Sequence, residues 1–519
     1  MTQKTTTDRS VRMRSIGLRQ ARLLGGGLVA ISLVLAGCSA DGDGSGGSSG
    51  GGDTIRVGIE EIPSQWLPGT DNGYAWVRVP YETLVARTAD DPNEFVPQLA
   101  ADWEIAADSL TFNLRDGVTF HDGTPFDAEA AKFNLEYVIE EQGPFSSGFD
   151  AVEEISAPDK HTLVLELSRP SQAVMSALTG RGGVMVSPTA IEDGIIKDHP
   201  VGTGPWAYDE DLSIAGSEIG FSRYDDHWDV DADVVDQVVL VAIDDSDARI
   251  NALTTGEIDL GDVSVPQADQ ARSAGLTVDV YPGIHYGLLF LDRGPGGAVA
   301  DVDARRAICQ GLDVEGLAAA AGGEFLTATN QRFLEGEYGH NPDLPPIAFD
   351  PEQAEGTLDG RVPGLTMLAF EQSQQFAEAL SGMLGEVGVD LEVQTVTAAE
   401  YFASWYDGAY SLGLGDNTEL TPEEWYLRWF AANAPGNPAG VESETLDAAA
   451  DAALAEPDPE LAEPLWAEVM RIILEEEVLT CSEVLVNQAI GYDSDKIGGV
   501  RTVTWEPSSV EFTALERKD

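Results

Sequence analysis

Leu110-Thr111-Phe112-Asn113-Leu114-Arg115-Asp116-Gly117-Val118-Thr119-Phe120-His121-Asp122-Gly123-Thr124-Pro125-Phe126 is the most informative stretch of the chain. Apolar residues fall at 110, 112 and 114 and again at 118 and 120, the period of two that half-buries a strand. Between the runs, Asp116-Gly117 favours the positive φ angles of a tight turn, so the spacing predicts a hairpin with arms 110–114 and 118–121. Asp122-Gly123 turns the chain again, and Phe126 to Glu140 has helical spacing with Asp127 as N-cap. His121 then reads as a satisfied hairpin residue rather than a ligand.

Strand and helix signals alternate outward from this point. Thr54–Ile59, Thr162–Leu167, Val234–Ile243 and Val389–Val396 read as strands, and Gly499–Trp505 as the last one. Ala248–Thr255, closed by Gly256, reads as a helix, as do Asp303–Ala320, Glu371–Val387 and Leu461–Glu476. The chain is mixed α/β with no fixed-period repeat. Its 519 residues, 43% hydrophobic, can bury a sizeable core. Ninety acidic residues against 29 basic ones give a net charge of −61, which repels phosphate backbones and excludes nucleic acid as a partner.

The N-terminus reads as an address. Lys4, Arg9, Arg12, Arg14, Arg19 and Arg22 precede an apolar run from Leu23 to Ala36, too short to span about 30 Å of hydrocarbon but suited to a signal peptide. Leu35-Ala36-Gly37-Cys38 follows and resembles the bacterial lipobox, whose cysteine is acylated; the alternative is an ordinary secretory signal. Residues 1–37 are thus a lipoprotein signal peptide, and 38–52 an acylated Cys38 with a Gly/Ser tether reaching on the order of 20 Å. The Gly-rich motifs inside the tether follow no strand and open no helix, so they carry no phosphate or nucleophile chemistry.

Several pieces, in order, resemble the family 5 (peptide/nickel type) solute-binding lipoproteins of bacterial ABC importers. They are Tyr81-Glu82-Thr83-Leu84, Pro97 to Glu104, the stretch 110–126, Gly202-Thr203-Gly204-Pro205-Trp206, and Trp228 through Gly256-Glu257-Ile258-Asp259. Arg305-Arg306-Ala307 with Leu312-Asp313, and Phe349 to Ala354, complete the set, so the resemblance spans residues 54 to 505. It implies a two-lobed periplasmic-binding fold (class II, cluster C) with a hinge and an interlobe ligand cleft. Mapped here, lobe 1 would take 53–284 and the return segment 487–519, and lobe 2 would take 285–486, with the strand at Val500 to Trp505 crossing back. The signature at 114–126 would serve lobe 1 packing. The implied role is capture of peptide-like solute for delivery to ABC permease subunits, without catalysis or cofactor. The receptor would be a monomer, lipid-anchored on the extracytoplasmic face of the cell membrane.

By the same resemblance three segments face the cleft: Glu60 to Trp66 continuing through Asn72 to Trp76, Gly283 to Gly287, and Tyr401 to Glu419. Trp66, Trp76, Tyr286 and Trp405 offer flat contact area with a polar tip, and ordinary core packing is the alternative for each. Asp416, Asn417 and Glu419 could bind a ligand amine through charge-assisted hydrogen bonds, or could be solvated surface. Peptide binders commonly carry Asp-Tyr-x-(Asp/Glu)-Pro here, whereas this chain has Asp416-Asn417-Thr418-Glu419-Leu420-Thr421-Pro422. A non-peptide solute such as a sugar, opine or metal chelate therefore stands beside the peptide reading. The six histidines are dispersed, so no metal site is expected, and Asp229-x-Asp231-x-Asp233 lacks the later residues of a calcium loop. Cys309 and Cys481 are either a disulfide or two buried thiols. A surface hydrolase built on a carboxylate pair, and a sensor that kept the binding fold, are the readings from other classes.

Overall fold

The computed structural model describes residues 53–518 with short breaks, the longest at 68–74, 89–92, 406–409 and 504–509. Cys38, the signal segment and the tether therefore lie outside the described residues, as do the side chain of Trp76 and the end of the expected final strand.

Two strands organise the body. Thr277–Phe290 and Glu483–Tyr492 pair antiparallel along most of their length, with a register shift between Tyr281 and Ile284. On one side Glu483–Tyr492 pairs through Ile490, Gly491 and Tyr492 with Leu260–Asp262, and the sheet continues through Thr54–Ile59, Gln237–Ala242, Glu218–Arg223 and Trp206–Ile214. On the other side Thr277–Phe290 pairs with Leu412–Asn417, then Leu365–Phe370 and Leu391–Val396. The runs are rich in Val, Leu, Ile and Phe, which pack well on a pleated surface.

Leu412–Asn417 shows how the sequence sets the packing. Leu412 and Leu414 enter the core with Phe290, Leu365 and Leu384. Gly413 and Gly415 point the other way, and a Cβ at Gly413 would come within 2.3 Å of the Trp405 ring. The bare face lets Trp405 and Trp429, with ring centres 5.6 Å apart, lie directly on the sheet. Trp425, Trp466 and Phe430 complete that core.

A separate antiparallel sheet of Ala100–Ile105, Ser109–Leu114, Thr162–Leu167 and Val152–Asp159 holds another core under the helix Ala128–Glu141. Here one expectation is corrected. Both edges of 109–114 are already taken, by 100–105 and 162–167, so 118–121 is not its partner. Val118 instead accepts from the Phe126 amide at 2.9 Å, folding 118–126 back on itself. The expected helix 303–320 is also divided, into Val302–Gln310 and Val314–Ala321, with Asp313 Oδ1 accepting from the Gly316 amide at 2.9 Å. Glu483–Tyr492 pairs with strands of both halves of the large sheet, and of the expected last strand 499–505 the described residues 499–503 show only an isolated bridge from Thr502 to Val510. Cys309 and Cys481 form a disulfide with Cα atoms 5.3 Å apart.

Candidate functional site

The site begins with the pairing of His285 opposite Asn417. Two residues on, Gly287 has no side chain, and a Cβ there would stand 2.8 Å from Asn417 Nδ2 and 2.9 Å from Glu483 Oε1. That vacancy lets Asn417 Nδ2 donate to Glu483 Oε1 at 2.8 Å. Glu483 is fully buried, and its Oε2 lies 3.4 Å from His285 Nδ1. Burial and the nearby Arg332 guanidinium lower the His285 pKa against the pull of Glu483, so the imidazole is neutral at neutral pH.

Arg332 and Glu419 stand in front of this group. The guanidinium of Arg332 donates to the Glu419 carbonyl, lies 3.9 Å from Glu337 Oε2 and packs 5.1 Å from the Phe333 ring centre. Glu419 Oε1 accepts from Trp429 Nε1 at 3.1 Å and pairs with Arg428 at 3.0 Å. Arg428 also lies 3.8 Å from Asp416 Oδ1. It is carried by the helix Pro422–Trp429, whose start is fixed by a capping box between Thr421 and Glu424.

A cleft open in part to solvent is lined by Arg87, Asn93, Gly283, His285, Arg332, Phe333, Glu337 and Glu419. Burial pulls the Arg87 guanidinium down to about 10, which leaves it cationic. Three buried atoms in or behind this lining have no hydrogen-bond partner among the described residues, Arg332 Nε, Asn417 Oδ1 and Glu419 Oε2, while His285 Nδ1 and Glu483 Oε2 have only each other at 3.4 Å. Orphaned buried polar atoms are costly, and three around one cleft offer both donor and acceptor capacity to a polar solute.

The expected site residues separate into two groups. Asp416, Asn417 and Glu419 are brought together beside Arg428 and the cleft. Trp66, 3% exposed, packs edge-on to Phe221 at 6.3 Å in a different core. Trp405, 1% exposed, lies between Tyr401 and Trp429 and spends its area on the core. Tyr286 is buried with its ring 6.4 Å from Phe376. Sequence reasoning missed Arg332, Arg428 and Glu483. Only Glu483 carried a signal, an acid opening the apolar run Val484-Leu485-Val486.

A mixed α/β chain with two strands running through separate cores beside a polar cleft is built like a bacterial solute receptor. The chain belongs to the bacterial extracellular solute-binding proteins, family 5, whose middle-region profile matches residues 94–438. It is thus a substrate-binding component of an ABC transporter. It is 23% identical over 462 residues to the "Probable D,D-dipeptide-binding periplasmic protein DdpA" of Escherichia coli K12, covering 82% of this chain and 87% of that one. Among solved structures it is similar to NikA of Brucella suis in complex with Fe(III)-EDTA, with a TM-score of 0.77 and 21% identity over 90% of this chain and 100% of the other. It is also similar to DppA of Helicobacter pylori in complex with the peptide STSA, with a TM-score of 0.73 and 20% identity over 90% and 98%. These structural likenesses establish the fold.

Proposed function

We propose that the chain captures short peptide-like solutes in the cleft and presents them to an ABC permease. The observation that carries this reading is the set of three unpaired buried atoms around one cleft, the Arg332 Nε donor and the Asn417 Oδ1 and Glu419 Oε2 acceptors. A ligand bearing both an amine and a carbonyl or carboxylate satisfies both kinds of atom. The dipeptide-binding relative supports the same class. In this reading the two lobes are 53–284 with 487–519, and 285–486, and solute contacts to both favour closure. The receptor acts as a monomer, performs no catalysis and is held at the extracytoplasmic face through acylated Cys38. No helix among the described residues is long and apolar enough to cross a membrane, so an anchor would have to come from elsewhere in the chain.

A second reading, a non-peptide solute, is favoured by Arg428, which already sits against both Asp416 and Glu419 and so weakens their pull on a ligand amine. The likeness to a chelate-bound structure is compatible with it. Mass spectrometry of small molecules released on denaturing the purified protein separates the two. Short peptides in stoichiometric amount are expected; a different intact solute would overturn the peptide reading, and a turned-over product would overturn the receptor.

A further inference from the structure

The helix Gln172–Thr179 is packed into the core of the four-stranded sheet through Val174, Met175 and Leu178. The helix Pro422–Trp429 is packed into the tryptophan-rich core through Trp425, Tyr426 and Trp429. One side chain joins them. Glu423, 3% exposed, accepts from Ser171 Oγ at 2.8 Å through Oε1 and from the Ala173 amide at 3.0 Å through Oε2. The Arg169 guanidinium also donates to Oε1. Ser171 is meanwhile the N-cap of its own helix, accepting from the Val174 amide at 3.3 Å. A carboxylate from about 250 residues away thus completes the start of the first helix, where backbone donors are open and the helix dipole favours negative charge.

The contact lies beside the cleft in sequence: Glu419 and Leu420, four and three residues before Glu423, belong to its lining, as do Arg87 and Asn93 from the N-terminal part of the chain. Asn93 makes a second, weaker tie, donating to the Gly336 carbonyl at 2.9 Å and accepting from the Tyr338 amide at 3.2 Å. Neither tie uses Arg332, Asn417 or Glu419, whose unpaired atoms surround the cleft. When the cores part, Glu423 and Arg169 return to water, so desolvation offsets much of the pairing and the contact adds a modest net free energy to the closed form.

We propose that Glu423 is a closure latch, a positioning residue that holds the two walls together over bound solute and so sets affinity without touching it. This rests on the reading of the cleft as a closing solute site. Binding through a closed form that is only partly populated is weakened in proportion to that population, so removing the latch loosens binding with the cleft lining unchanged.

The test uses the full-length chain with Glu423→Gln, Arg169→Gln and the double variant. It reads amide exchange at residues 172–175, radius of gyration by small-angle X-ray scattering, and dissociation of the tripeptide Ala-Ala-Ala. Expected are about tenfold faster exchange at Ala173, a larger radius without ligand and about tenfold faster dissociation. The double variant should be no worse than the worse single one. Arg169→Gln, which leaves the capping carboxylate in place, keeps the proposal testable where Glu423→Gln folds poorly. Faster exchange at Ala173 with unchanged radius and dissociation would make Glu423 a helix cap only and overturn the latch. Failure of the wild type to bind the tripeptide would count against the peptide reading alone, because the scattering comparison still decides the latch.

Discussion

Two regions of this molecule bury polar side chains, and they treat them differently. Around the signature segments, Glu82 accepts from Trp228 Nε1 at 3.0 and 3.1 Å through its two oxygens and lies 3.2 Å from His227 Nε2. Arg115 covers the Trp228 ring at 4.1 Å. His121 accepts from the Gly202 amide at 3.2 Å through Nδ1, while Nε2 reaches the Gly204 carbonyl at 2.9 Å. Each of these ring nitrogens and carboxylate oxygens has a partner within the fold. Around the cleft, Arg332, Asn417 and Glu419 each keep a buried atom without one, and His285 Nδ1 and Glu483 Oε2 have only each other at 3.4 Å. The densest motif therefore has its charged and ring groups paired within the fold, and in the proposed function the unspent hydrogen-bonding capacity is what solute would use. The cleft side also carries the disulfide, a covalent tie that offsets what its unpaired groups cost.

The largest effect expected concerns that tie. Replacing Cys309 and Cys481 by Ser opens a crosslink with a sequence separation of 172 and should cost up to about 5 kcal/mol by loop entropy. Urea unfolding midpoints check this, and an unchanged midpoint would remove the asymmetry between the two regions. Next, Glu82→Ala leaves Trp228 Nε1 and His227 Nε2 without their Glu82 partner and should cost about 3 kcal/mol. Solute retained per folded molecule should stay at the wild-type value. A selective loss of retention would mean that the signature region does bind solute.

The third expectation is a pH dependence. Burial lowers the His121 pKa to about 4, so the fold holds it neutral. Above the unfolded value near 6.5 it contributes no pH dependence. As pH falls below that value the unfolded chain takes up a proton that the folded one refuses. Stability drops by up to about 3 kcal/mol and levels off below pH 4. His285 acts in the same direction, so the His121 share is the difference between wild type and His121→Gln; parallel curves for the two proteins would refute it. The smallest stability effect is expected from Glu483→Gln, within about 1 kcal/mol, because an under-satisfied buried charge is removed. Its solute retention should nevertheless fall, and retention at the wild-type level would detach Glu483 from the site.

Local signals were readable where local forces decide. Asp245 starts the helix Ser246–Thr255 by accepting from the Ala248 amide at 2.8 Å, and Gly256 ends it in a left-handed conformation. The turn signals at Asp116-Gly117 and Asp122-Gly123 were visible too, but the partner of 109–114 was not, because strand pairing is settled by residues 50 positions away. The helix 303–320 looked continuous because its composition stays Ala-rich across Gly311. Trp66 and Trp405 announced large buried area, and nothing near them in sequence says whether a ring meets solute or another ring. Asp416, Asn417 and Glu419 were placed through family resemblance. Arg428 lies on the next helix and Arg332 some 90 residues earlier, and neither had a local mark.

The long strands Thr277–Phe290 and Glu483–Tyr492 have a mechanical consequence. Both pass unbroken from one core to the next, so turning one end of the body against the other would load a ribbon of backbone hydrogen bonds rather than swing a slack loop. The ribbon is most compliant where its register slips, between Tyr281 and Ile284, beside Gly283 and His285 on the cleft floor. The body thus resembles a leaf spring with one softened segment, and the restoring torque of that segment falls on residues that line the cleft.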